Sequence, residues 1–208
     1  SQVTDSDLTT NNLKVKASSN AQAVNVAGSV AYGKTVGVGA ALAYNGLDNH
    51  IGAYLAGGSV TAKTSYTGVS VDVEGENTGK IYGLGAAVAA SQEAAVNGTV
   101  VVNHGGSDTE AAVGEVRAEK GNNTAKNTTV ANAKAVTVKA ESDDVRVAAA
   151  GNVSASGKVA VGGAVAYNDV GGASTSTAKA SQKTRAALNK TTLTHVTSGS
   201  TSVEAVDG

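Results

Sequence analysis

The chain has 208 residues with 26 Gly and no Pro, Cys, Met, Trp or Phe, and it sets 16 Lys and Arg against 17 Asp and Glu. Its few aromatics are all Tyr, which excludes a core of interlocking large side chains and leaves a thin core of Val and Ala. The near-neutral balance argues against a phosphate-binding surface, the missing cysteines exclude disulfide scaffolds and most structural zinc sites, and an apolar content of 41% is too high for a disordered tail.

Ser1 to Asn12 is polar and reads as a loop or a fraying edge. Leu13-Lys14-Val15-Lys16-Ala17 then alternates apolar and charged residues, the period of a strand with one face buried. Ser18 to Ala21 reads as a break, Val24 to Val26 and Gly28 to Tyr32 as a second strand, and Gly33-Lys34 as a turn before Val36 to Asn45. The opening block returns as Val69 to Val73, Val136 to Ala140 and Thr201 to Ala205. Val15, Val71, Val138 and Val203 thus mark a repeat of elastic length, with unequal steps between them. The block Val36 to Asn45 returns as Tyr82 to Ser91 and as Val159 to Asn168.

Leu13 to Asn45 and Val136 to Asn168 align without a gap, with 15 identities in 33 positions. In the middle unit the span from Val71 to Ser91 is about a third shorter than Val15 to Asn45 or Val138 to Asn168, which implies a missing strand and turn. The second halves are more variable: Ile51 to Leu55 and Ser59 to Lys63, then Val100 to Val102 and Ala111 to Ala118, then a polar run from Ala173 to Lys183 ahead of Leu188 and Leu193. The units are therefore 13–68, 69–135 (one block shorter in its first half) and 136–200, after a leading segment 1–12 and before the start of a further unit at 201–208.

Units of this kind cannot bury enough area alone, and stacking covers both faces and pairs both edges of each strand. The predicted fold is all-β, a β-solenoid in the form of a right-handed parallel β-helix of degenerate repeats. With roughly 20 to 25 residues per coil it would hold about 8 to 10 coils in a rod of roughly 40 to 50 Å. Ala86 to Ala95 and Arg185 to Leu188 are the weak helix candidates, opposed by Gly, Val and Thr. The chain opens at Ser1 without Met or a leader and is read as a piece of a longer protein.

No catalytic, cofactor-binding or metal-ligating set emerges. His50, His104 and His195 lack metal spacing and read as loop or turn histidines. Asp143-Asp144 could be half of a calcium or acid-base site, but Asn20-Ala21 at the matching place favours a turn. Gly105-Gly106-Ser107-Asp108 reads as a hairpin turn rather than a calcium repeat, and Gly37-Val38-Gly39 and Gly83-Leu84-Gly85 as packing glycines in strands. A glycan-active enzyme would need clustered carboxylates and aromatic platforms, which six Tyr and scattered acids do not supply. The positions that matter to the repeat are Gly39, Gly85 and Gly162, with Tyr44 and Tyr167 as capping aromatics at an edge or corner and Asn45 and Asn168 as rungs of a hydrogen-bonded ladder. Asn-x-Ser/Thr sequons begin at Asn97, Asn122, Asn127, Asn152 and Asn189 and are expected of a chain this rich in Asn, Ser and Thr.

The order Val-x-Val-x-Ala, Ala-Gly-x-Val, Val-Gly-(Gly/Ala)-Ala-(Val/Leu)-Ala-Tyr-Asn resembles the repeats of giant bacterial exoproteins of the leukotoxin family of filamentous adhesins, near the filamentous haemagglutinins. The resemblance covers about Leu13 to Ala205. It implies export by a type V route, two-partner secretion or an autotransporter, through an outer-membrane secretion pore, and a long β-helical shaft at the cell surface. It further implies attachment to a receptor on a host or neighbouring cell, with leukocyte damage by some members. Ser29-Val30-Ala31-Tyr32-Gly33 is locally similar to the head motif of trimeric autotransporters, which repeats there at a short period and occurs here once. End-to-end self-association into an extracellular fibre is the rival reading, since unprotected edge strands invite pairing.

Overall fold

The computed structural model describes residues 1–63, 67–117, 123–170 and 182–207. Its strands are β1 (Gln2–Thr9), β2 (Asn12–Gly33), β3 (Val36–Thr61), β4 (Val69–Ser91), β5 (Ala94–Val113), β6 (Glu115–Arg117), β7 (Asn123–Ala125), β8 (Thr128–Ser156), β9 (Val159–Val170), β10 (Lys183–Leu188) and β11 (Thr191–Asp207). No helix occurs among the described residues. Ala86 to Ser91 lies in β4 and Arg185 to Leu188 in β10, where parallel pairing with the neighbouring coil rather than helix propensity decides. Most of the polar run Ala173 to Lys183 and the sequon at Asn122 lie outside the described residues.

The chain is a parallel β-solenoid in which one coil is one whole repeat. Val15 stacks on Val73, Val73 on Val138 and Val138 on Val203, so each turn of the solenoid consumes an entire repeat unit. The short coil expected from the sequence is therefore wrong by nearly a factor of three: the chain makes three coils and begins a fourth. The reason lies in strands that do not turn where the sequence suggests. Ser18 to Ala21 continues β2 without a break, its residues alternately exposed and half-buried like their neighbours, because small polar side chains fit a strand as well as a corner. A 22-residue strand is about 70 Å long, whereas three coil spacings add only about 14 Å. The molecule is a blade rather than a rod.

Register also corrects the reading of the middle unit. Val36 to Asn45 stacks on Ala94 to Asn103, which stacks on Val159 to Asn168. Tyr82 to Ser91 instead lies between Val24 to Gly33 and Val147 to Ser156. Val73 and Asn103 are as far apart along the chain as their stacking partners Val15 and Asn45, so no block is missing. The confusion has a physical cause: Tyr82 to Ser91 has the small-inside, apolar-outside alternation of Val36 to Asn45, while Ala94 to Asn103 carries Asn97 and Thr99 at its inward positions. Val71 and Val73 share a face two residues apart, which hid the partner of Val15. The leading segment is not a loop: β1 runs along the end of β3, from Gln2 opposite Tyr54 to Thr9 opposite Thr61.

Each coil goes out along β2, β4 or β8, turns, and returns along β3, β5 or β9. The resulting two parallel sheets lie face to face. At the turns the ladder continues through Gln92 N–H to Lys34 O (3.3 Å) and Gly157 N–H to Gln92 O (3.2 Å). Near the base the interior is a cluster of Val and Leu, among them Val15, Leu55, Val73, Val113 and Val138, each worth roughly 1.5 to 3 kcal/mol when fully buried. Toward the turn the sheets close on each other. A Cβ on Gly37 would lie 2.5 Å from Ala90 O, and one on Gly85 2.6 Å from Thr99 Cγ2, so glycine is required at both.

Candidate functional site

Three side-chain constellations stand out, two between the sheets and one on the outer face. The first is an asparagine ladder. Asn45 Nδ2 donates to Asn103 Oδ1 (2.8 Å) and Asn103 Nδ2 to Asn168 Oδ1 (2.9 Å). The same amides bind the opposite sheet, Asn45 to Tyr82 O (3.2 Å), Asn103 to Val147 O (2.7 Å) and Asn168 to Arg146 O (3.3 Å). Asn103 is the middle rung that sequence comparison missed, because the middle unit was aligned on the wrong block.

Tyr44 and Tyr167 lie one residue earlier with Val102 between them. They stand exposed on the outer face, on stretches of β3 and β9 that among the described residues pair with β5 alone, so they lie on edge strands but not at a corner, since β3 and β9 run straight through those positions. Gly39 and Gly162 share a column with Asn97 between them. Gly85 belongs to the other sheet, between Ala27 and Ala150.

The second constellation surrounds Asp144. Its Oδ1 accepts from Asn77 Nδ2 (2.9 Å) and Gly79 N–H (3.0 Å), and its Oδ2 from Ser107 Oγ (2.6 Å) and Arg146 Nη2 (3.3 Å). Asp144 is therefore an interior strand residue rather than part of a turn, and Asp143 beside it is exposed. A cavity of about 10 Å³ among Asn49, Ser107, Asp144 and Arg146 has room for about one water.

The third constellation is ionic. Ala111 and Val113 face the core, so Glu110 faces outward, yet it is 0% exposed. It is covered by Tyr54, whose hydroxyl donates to Glu110 Oε2 (2.6 Å), by Asn123 from β7 and by Lys183 from the next coil. Gly52 makes the first contact possible, because the Tyr54 ring crosses the place its Cβ would take. Next to it, Glu115 pairs with Arg185, Asn189 and Asn123, and Arg117 pairs with Asp108 and His50. Burial opposes the charged form of Glu110, but hydrogen bonds from Lys183, Tyr54 and Asn123 outweigh it and hold the carboxyl below its ordinary value. Glu115 is lowered in the same way, burial being outweighed by Arg185 and Asn189. Burial and the Glu110 carboxylate push the Tyr54 hydroxyl up.

These carboxylates are saturated by donors and kept ionised, the arrangement of a clamp that fastens the β6–β7 hairpin across coils. Among the described residues no group of three or more His, Cys, Asp or Glu is placed to hold a metal ion. The histidines do not occupy loops: His50 lies in β3, His104 is buried in β5 against Asp169 (2.9 Å), and His195 lies in β11 beside Thr201. Gly105 to Asp108 is likewise continuous strand in β5, not a hairpin turn. Gly105 is needed there because Leu47 O and Ile81 Cδ1 would lie within 2.9 Å of its Cβ. No family model, curated protein or solved structure matches this chain.

Proposed function

We propose that this chain is a structural segment of the shaft of a large surface-exposed bacterial exoprotein, an adhesin or leukotoxin-like protein that attaches its cell to another surface. The observation that carries the reading is the in-register stacking of like on like. Val15, Val73, Val138 and Val203 form one column, Asn45, Asn103 and Asn168 another, and Lys16, Glu74, Lys139 and Glu204 a third with alternating charge. Such a stack can be lengthened coil by coil without redesign. Within the proposal, the parent chain leaves the cell through an outer-membrane pore by a type V route, and the blades offer repeated weak contacts to a receptor on a host or neighbouring cell.

The edge of β2, which among the described residues pairs only with β4, favours the second reading, a fibre grown end to end from separate copies. Negative-stain microscopy of the purified chain across concentration, beside intact surface filaments, tests both. Discrete blades whose width matches a segment of the filament support the shaft. Uniform fibres growing from this chain alone would replace it with the polymer.

A further inference from the structure

The outer faces of the blade carry an apolar pattern that stacking and the ladders do not use. On the β2–β4–β8 face the outward residues from Val24 to Tyr32, and their partners in the next two coils, include no charged side chain. They form ridges and a groove that run along the stacking direction. Gly28, Ala86 and Gly151 make the floor of an open groove of about 450 Å³, and Val30, Val88 and Val153 make the ridge beside it. The exposure is not an effect of the free edges, because Leu84 and Val88 in the middle coil are 43% and 39% exposed with a neighbour on either side.

We propose that this face binds the same face of a second copy, with the Val30/Val88/Val153 ridge of each seated in the Gly28/Ala86/Gly151 groove of the other. Ridge and groove are adjacent columns, so a two-fold axis parallel to the stacking direction and midway between them satisfies both contacts at once. Coil then lies opposite coil, and the two stacks run side by side in the same direction. The face is self-complementary in the other respect that matters: with no charge on either side, pairing desolvates no ion. The matching band spans about 26 Å along the strands and about 14 Å across three coils, roughly 400 Å² per copy. A pair then buries roughly 800 Å², below the roughly 1,200 Å² of a stable complex, so the contact is weak for three coils and strengthens with every coil added. A bilayer is the less suitable occupant, since the free edges of the sheets would carry unpaired backbone groups into lipid.

Sedimentation velocity of the purified chain from micromolar to near-millimolar concentration tests the pairing. The wild type is expected to shift from monomer toward dimer. Val88→Lys, on the ridge, and Ala86→Leu, which fills the groove while keeping it apolar, are each expected to weaken the association at least tenfold with the circular dichroism unchanged. Both sites are exposed and so tolerate the change. A wild type that stays monomeric throughout overturns the proposal. So does association that Ala86→Leu leaves intact or strengthens, which marks edge pairing or unspecific stickiness, and so does flotation with neutral phosphatidylcholine vesicles without self-association.

Discussion

Asn103 receives a hydrogen bond from the rung before it, donates to the rung after it, and donates again across the sheets to Val147 O. Replacing it with Val strands an amide on either side and a buried carbonyl, each worth roughly 1 to 3 kcal/mol. Asn103→Val should therefore lower the denaturant midpoint more than Asn45→Val or Asn168→Val, whose outer faces meet solvent; equal losses for the three would sink the ladder as a cooperative unit. Glycines divide just as sharply. Gly37→Ala drives a Cβ to 2.5 Å from Ala90 O, whereas nothing lies within 4 Å of a Cβ on Gly151. Gly151→Ala should stabilise by about 0.5 kcal/mol, the usual gain over glycine in a strand, while Gly37→Ala destabilises, and urea melts of the two variants decide it. Asn45 and Asn168 were legible as rungs because the outer units align without a gap. Gly37 and Gly151 look alike in sequence, since what separates them is the distance to the opposite sheet.

The β6–β7 hairpin is held by carboxylates whose folded values lie below their unfolded ones. Glu110 and Glu115 therefore bind fewer protons in the folded state, and their contribution is fully present above the ordinary carboxylate value near 4.5. It is lost as the pH falls below that value and through the lowered folded ones. Amide exchange at residues 115–117 and 123–125 should accelerate in this acid window before the Val core melts. Glu115→Gln should give fast exchange at neutral pH and flatten the acid dependence; unchanged protection in that variant would mean that backbone bonds, not the clamp, hold the hairpin. None of this was visible from the sequence. Glu110 meets Tyr54 from the preceding coil and Lys183 from the following one, separations set by coil length, and the coil length depends on Ser18 to Ala21 not being a corner. The alternation within each strand was legible, because every inward position from Leu13 to Ala31 is small or apolar apart from Asn25 and two serines.

At the scale of the whole chain, stability in a stack is a sum over coils and the interfaces between them. Removing residues 70–134, the full period that separates the stacked partners Ser70 and Ala135, joins the first coil to the third without altering the direction of either sheet. Asn45 then faces Asn168, and Val15 faces Val138, so the columns that define the core are restored. The charge column is not. Lys16 sits on Glu74 and Glu74 on Lys139 in the intact chain, and the deletion sets Lys16 directly against Lys139. The clamp is also lost, because Glu110 and Glu115 leave with the deleted coil while Lys183 and Arg185 remain. The shortened chain should still fold to an all-β spectrum, melt cooperatively, and be less stable than the parent. Lys16→Glu, which restores the alternation, should raise the urea midpoint of the shortened chain, because opposite charges on neighbouring strands attract. In the intact chain the same substitution places like charges together and should destabilise. Opposite signs in the two backgrounds, read from urea melts, are what in-register stacking requires. The same sign in both would mean that Lys16 acts through solvent rather than through the column it occupies.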